Sequence, residues 1–121
     1  NETGKIPAFY NVIPEMNHNE MNGFSATRSA ALLSRRFHFI FLKDNNDHPR
    51  IIKRMNVMWE LFTKRGFRSE VLLLRGKNVW EKIFSSISLA DWTSYYTAKQ
   101  YHADPEAVPI IEEFKKLITS R

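Results

Sequence analysis

The sequence predicts an α/β fold with a small parallel sheet, and three observations carry that reading. Phe37-His-Phe-Ile-Phe-Leu42 is nearly continuous in apolar and aromatic residues, the pattern of a strand buried on both faces. Ser69 to Leu74 is a second run of this kind, closed by Arg75-Gly76. Between them, Arg50 to Lys64 places apolar residues at 51, 55, 58, 61 and 62, which is helical spacing. Strand, helix and strand in that order make a βαβ unit, and hence a parallel sheet.

The remaining elements follow in chain order. Ile6 to Asn11 reads as a short strand, with Pro7 near its start, where no ladder donor is needed. Pro14 to Gly23 is polar and rich in Asn, so a loop running into a short helix is expected. Ser25 to Leu33 is small and Ala-rich, a loop or a helical turn. Lys43 to Asp47 is a turn, and Asp47 is expected to cap the helix after it, with Gly66 at the stop. Lys77 to Ala103 is predicted helical, with Val79, Trp80, Ile83, Phe84, Ile87, Trp92, Tyr95 and Tyr96 on the buried side. Ser88-Leu-Ala-Asp91 is similar to a capping box with Asp in place of Glu, so two helices are expected as readily as one. Asp104-Pro105 stops the chain and restarts it, and Ile110 to Ile118 is a last short helix. Three strands make a small sheet, so further strands are expected upstream and the chain is expected to be part of something longer.

Composition narrows the function classes. The 121 residues suit one domain, taken here as 1–121. Apolar residues at 43% and charged residues at 26% describe an ordinary folded protein rather than a disordered one. No apolar run approaches the length of a membrane span, and no membrane partner is expected. There are no cysteines, which excludes disulfides, thiolate nucleophiles and cysteine metal sites, and fits a cytoplasmic location. A net charge of +5 favours anionic partners, either phosphorylated metabolites or nucleic acid. The cations come in scattered pairs such as Arg35–Arg36 and Lys64–Arg65, with no long basic run and no recognised nucleic-acid motif. No nucleic-acid partner is therefore expected.

In open α/β sheets the ligand site lies beyond the carboxyl ends of the strands. Asn17, His18, Asn19 and Glu20 follow the first expected strand and join an imidazole, able to pass protons near neutral pH, to a dense polar cluster. An exposed loop whose asparagines make turns explains the same residues. Glu15-Met-Asn-His18 has the Glu-x-x-His spacing of carboxylate-bridged metal sites, but the chain offers no second copy, so no metal is expected. His38 is placed in a strand, His48 and His102 in turns. The aromatic residues at 80, 92, 95 and 96 read as core or interface. Lys115 and Lys116 read as a solvated face near a helix C-terminus, where cations are favoured.

Two segments go further. Asn1-Glu-Thr-Gly-Lys-Ile-Pro-Ala-Phe-Tyr10 and Ile13-Pro-Glu-Met-Asn-His-Asn-Glu20 resemble the bifunctional phosphoglucose/phosphomannose isomerase family, with its N-E-x-x-K-x-P-A-F lead and I-P-E-x-N-H-N-E segment. Asp91-Trp-Thr-Ser-Tyr-Tyr-Thr-Ala98, Ala103-Asp-Pro105 and the run from Pro109 to Lys115 are similar to its later helix, turn and ending. The resemblance implies most of the second of two sugar isomerase (SIS) domains, a three-layer α-β-α arrangement, incomplete at its N-terminus. It implies isomerisation of glucose 6-phosphate and fructose 6-phosphate through a cis-enediol, with no cofactor. By the same resemblance Glu2 matches the catalytic base and His18 the ring-opening histidine, which acts from the neighbouring subunit of a homodimer. Lys115 matches a lysine that contacts substrate, and Asn17 and Asn19 flank the histidine as substrate-binding residues. Some members carry a Thr seven residues before that lysine, linked to acceptance of the mannose configuration. Here it is Val108, which donates no hydrogen bond, so either another group serves or mannose 6-phosphate is handled less well. A sugar-phosphate-binding regulatory module without turnover is the alternative.

Overall fold

The structure, a computed structural model, describes residues 9–119. Glu2 and most of the expected first strand lie outside that range. The described residues include five α-helices and a two-stranded parallel sheet, so the chain is α/β as expected. Contacts divide it into two compact units, one of residues 10–83 and one that includes 84–119.

The first unit is built around the βαβ motif. Strand β1 (His38–Lys43) pairs in parallel with β2 (Arg68–Leu73), in a register that sets Phe39 against Ser69 and Phe41 against Val71. Helix α3 (Pro49–Lys64) connects them. Phe39 and Phe41 alternate onto the face that meets α3, where Phe41, Met55, Met58, Phe62 and Phe67 form the buried core. Phe62 sits at the centre of an edge-on cluster, with its ring 4.7 Å from Phe39 and 5.4 Å from Phe67. Such edge-to-face pairs add to the area they bury. On the other face Ile40 is 59% and Leu42 51% exposed, so β1 is not buried on both sides as its composition suggests.

The helix boundaries have identifiable causes. Pro49 opens α3 at a position where its missing N–H costs nothing. The cap is His48, not Asp47: its Nδ1 accepts from the Arg50 N–H at 3.2 Å. Gly66 closes the helix at φ +76°, and the N–H of Phe67 returns to the Phe62 carbonyl at 3.1 Å. That is a Schellman close, with Phe67 packed on Phe62 as its apolar contact. Ser25 to Leu33 resolves into helix α2 (Arg28–Ser34), whose first turn is capped by Thr27 Oγ1 accepting from the Ala30 N–H.

Beyond β2 the chain enters α4 (Val79–Gln100), a single helix of 22 residues. No break occurs at Ser88. The hydroxyls of Thr93, Ser94 and Thr97 donate to carbonyls three or four residues back, which spends them inside the helix rather than on a cap. Gly76 stands where a Cβ would come within 2.8 Å of the Lys82 backbone nitrogen, a close approach that only glycine allows. In the second unit α4 ends in another Schellman close, through His102 at φ 55°, and α5 (Pro109–Thr119) follows. Trp92, Tyr95 and Tyr96 touch one another at 5.6–5.9 Å between rings, but they remain exposed rather than forming a core. The expected first strand does not form over Phe9 to Asn11; Asn11 instead turns its side chain to the Val12 N–H and to Glu20.

Candidate functional site

The polar segment around His18 is held from below by apolar side chains. Ile13, Met16 and Met21 pack on the core of the first unit. A 3₁₀ turn (Glu15–Asn17) and helix α1 (Asn19–Gly23) meet at His18. Met16 N–H donates to the Val12 carbonyl and Asn17 N–H to the Pro14 carbonyl, at 3.0 and 2.9 Å. Asn11 Nδ2 donates to Glu20 Oε2 and ties the start of the segment to α1. Asn17 turns inward, its Nδ2 on Met58 Sδ at 3.2 Å.

The consequence falls on His18. It occupies the N-cap position of α1, yet its imidazole makes no capping bond and is exposed. Asn19 is exposed beside it. An anchored backbone thus presents a histidine whose nitrogens are spent on nothing else among the described residues. That is a usable geometry for proton transfer. Lys115 lies on α5 in the second unit, paired with Glu112 at 2.8 Å one turn back. Both partners are well exposed, and a pair of this kind holds its ammonium only weakly. Glu2 lies outside the described residues. Among those described, no three His, Asp or Glu side chains converge as a metal site would require, and no helix is long and apolar enough to cross a membrane.

One polar pair escapes a reading of the sequence. Lys82, buried at the start of α4, reaches both carboxylate oxygens of Asp44 at 2.7 and 2.9 Å. Asp44 directly follows β1, at the carboxyl end of the sheet. The Lys82 ammonium, helped by the Asn46 N–H, holds the Asp44 carboxyl below its ordinary range. The position of Asp44 after a strand is the signal that marks it; the pairing across 38 residues has no local sign.

Residues 1–118 match the family model of the bacterial phospho-glucose isomerase C-terminal SIS domain. The chain is 31% identical over 116 residues to the bifunctional phosphoglucose/phosphomannose isomerase of Aquifex aeolicus, covering 96% of this chain and 35% of that one. It is 35% identical over 116 residues to the protein of the same name from Caldicellulosiruptor bescii, covering 94% and 33%. For that of Thermoplasma volcanium the figures are 33% over 118 residues, 98% and 36%. The chain thus spans about a third of the length of these relatives. No solved structure matches it significantly.

Proposed function

The chain belongs to the bacterial phosphoglucose isomerase C-terminal SIS domain family, and from that premise we propose that it forms part of an enzyme interconverting the aldose and ketose forms of a hexose 6-phosphate. The observation that carries the reading is His18: it lies within the Ile13–Glu20 motif, on an anchored backbone, with its imidazole exposed and, among the described residues, uncommitted. The substrates proposed are glucose 6-phosphate and fructose 6-phosphate; Val108 offers no hydroxyl, so either another group meets the mannose configuration or mannose 6-phosphate is handled less well.

The roles follow from the chemistry. The sugar arrives as a closed ring, and His18 moves a proton between ring oxygen and hydroxyl to open it. Glu2, as general base, takes the C2 proton of the open aldose to give a cis-enediol and returns it to C1, while the hydroxyl proton passes from O2 to O1. Lys115, released from its weak pair with Glu112, stabilises negative charge developing at oxygen. Asn19 stands beside His18 to meet sugar hydroxyls; Asn17, read from the sequence as a second substrate contact, turns its Nδ2 onto Met58 Sδ instead. Only protons move, so the reaction calls for no cofactor. His18 serves the site of the neighbouring subunit in a homodimer.

The test is Glu2→Gln in the full-length protein. Turnover is expected to fall by about 100- to 10,000-fold, the range for loss of a general base. Survival of activity within a few-fold removes Glu2 from that role. If the unaltered protein binds fructose 6-phosphate but exchanges no deuterium from solvent into the substrate, the non-catalytic binding module replaces the isomerase.

A further inference from the structure

The two turns that meet at His18 are short: Glu15–Asn17 has three residues and Asn19–Gly23 five. Pieces of that length do not hold together in water alone, so tertiary packing must keep them folded. Ile13 and Phe24 pack on the core and fix the two ends of the segment. Between those ends, residues 15–23 carry only two apolar side chains, Met16 and Met21. Each turn is therefore fastened to the core by one methionine. The other tethers are polar: Asn11 Nδ2 donates to Glu20, and Asn17 Nδ2 donates to Met58 Sδ at 3.2 Å.

The chain has four methionines, and all four belong to this seat. Met55 and Met58 lie in the core itself, 8% and 1% exposed. Met16 and Met21 pack against that core from outside and are half-buried, and Met21 also lines the open groove along α3. A thioether is a soft apolar filler, and it is also open to oxidation. Burial thus divides the four sulfurs into a protected inner pair and a reachable outer pair, and the outer pair holds His18 in place.

We propose that Met16 and Met21 are a redox modification site, at which a hydroperoxide converts the thioethers to sulfoxides and unseats His18. The inference rests on the role proposed for that histidine. In the step, a sulfur lone pair attacks a peroxide oxygen. An S–O bond forms, the O–O bond breaks, and with hydrogen peroxide water leaves. Sulfur is oxidised by two electrons and the peroxide is reduced. The sulfoxide is polar, and its return to an apolar seat is unfavourable. The two turns then open locally, while β1, α3 and β2 stay folded on the untouched inner pair. A sulfoxide reductase reverses the change: two thiols close a disulfide and the oxygen departs as water.

The probe is hydrogen peroxide, applied to the full-length protein and followed by mass mapping of its peptides. Met16 and Met21 are expected to gain oxygen before Met55 and Met58, and the reverse order overturns the inference. Once both are oxidised, amide hydrogen exchange over residues 13–24 is expected to quicken by about tenfold or more, the loss of one buried side chain, with residues 38–73 unchanged. Faster exchange through 38–73 as well means collapse of the unit rather than a switch, and overturns it. Turnover is expected to fall by about tenfold or more, since small displacements of a reacting group cost that much, and to return on treatment with sulfoxide reductases and dithiothreitol. Met16→Leu/Met21→Leu conserves side-chain volume, so it is expected to keep its turnover and to lose less than about twofold of it to peroxide. Equal loss in that variant places the damage elsewhere and overturns the inference, as does full turnover with both methionines oxidised. The exchange measurement needs no turnover. Local unseating in a protein without isomerase activity counts against the isomerase reading and leaves the redox site standing.

Discussion

Asp44 and Lys82 show what one residue does for its neighbours. The carboxylate sits at the end of β1, and the ammonium that meets it comes from the start of α4. Lys82 and the Asn46 N–H both favour the ionised form, so the Asp44 carboxyl titrates lower in the folded chain than in the unfolded one. The sign follows from linkage. The unfolded chain binds the proton first as pH falls, so the stabilisation is complete above the unfolded value of about 4 and is lost as pH drops through the folded one. Urea unfolding between pH 6 and pH 2 is expected to show that loss. Asp44→Asn is expected to be less stable at pH 6 and to have a flatter profile in the acid range. A profile identical to the unaltered protein removes Asp44 from the balance. The pair has no local sign, because nothing near Asp44 in sequence announces a partner on a helix 38 residues on. His18 was legible for a different reason. The polar cluster alone suits an exposed loop equally well; the long motif around it, not its charge or spacing, singles it out. Its availability is a tertiary fact, resting on Met16, Met21 and Asn17 being turned to the core.

Elements are legible where their signals are local. The core of β1, α3 and β2 follows from apolar periodicity, and the α3 stop follows from a glycine in the one place that needs it. Gly66 lies at φ +76°, and an added Cβ meets nothing closer than an Arg35 side-chain nitrogen at 3.9 Å. Strain, not crowding, is therefore the cost of any other residue. Gly66→Ala is expected to destabilise the chain by about 1–2 kcal/mol, measured as a shift in the urea midpoint at unchanged slope. A neutral result means that the close between Phe62 and Phe67 tolerates another backbone path. Where elements were misread, a neighbouring feature decided the matter. Ser88 to Asp91 has the composition of a cap, but neighbouring hydroxyls bond back along α4 and the helix runs through. Asp47 has the better capping side chain, yet Pro49 sets the first turn one residue later and hands the cap to His48. The exposed face of β1 was not legible at all, because apolar composition records what a strand is able to bury and not what covers it.

At the scale of the molecule, the two described catalytic candidates fall in different units, and the chain covers about a third of its relatives. An arrangement in which His18 serves the neighbouring subunit has a numerical consequence. Glu2→Gln and His18→Ala are each expected to be nearly inactive as homodimers of the full-length protein. Suppose the two are unfolded together and refolded as an equal mixture. About half of the dimers are then mixed, as random pairing in a two-fold assembly requires. In a mixed dimer with histidine acting across the interface, one site receives both lesions and the other receives neither. Half of the sites in half of the dimers are intact, so about a quarter of the unaltered activity is expected. If His18 serves its own subunit, every site in the mixed dimer keeps one lesion and no activity returns. The mixing experiment therefore separates the two arrangements without a structure of the dimer. It also ties both residues to one site, since two lesions in unrelated roles do not complement in this ratio.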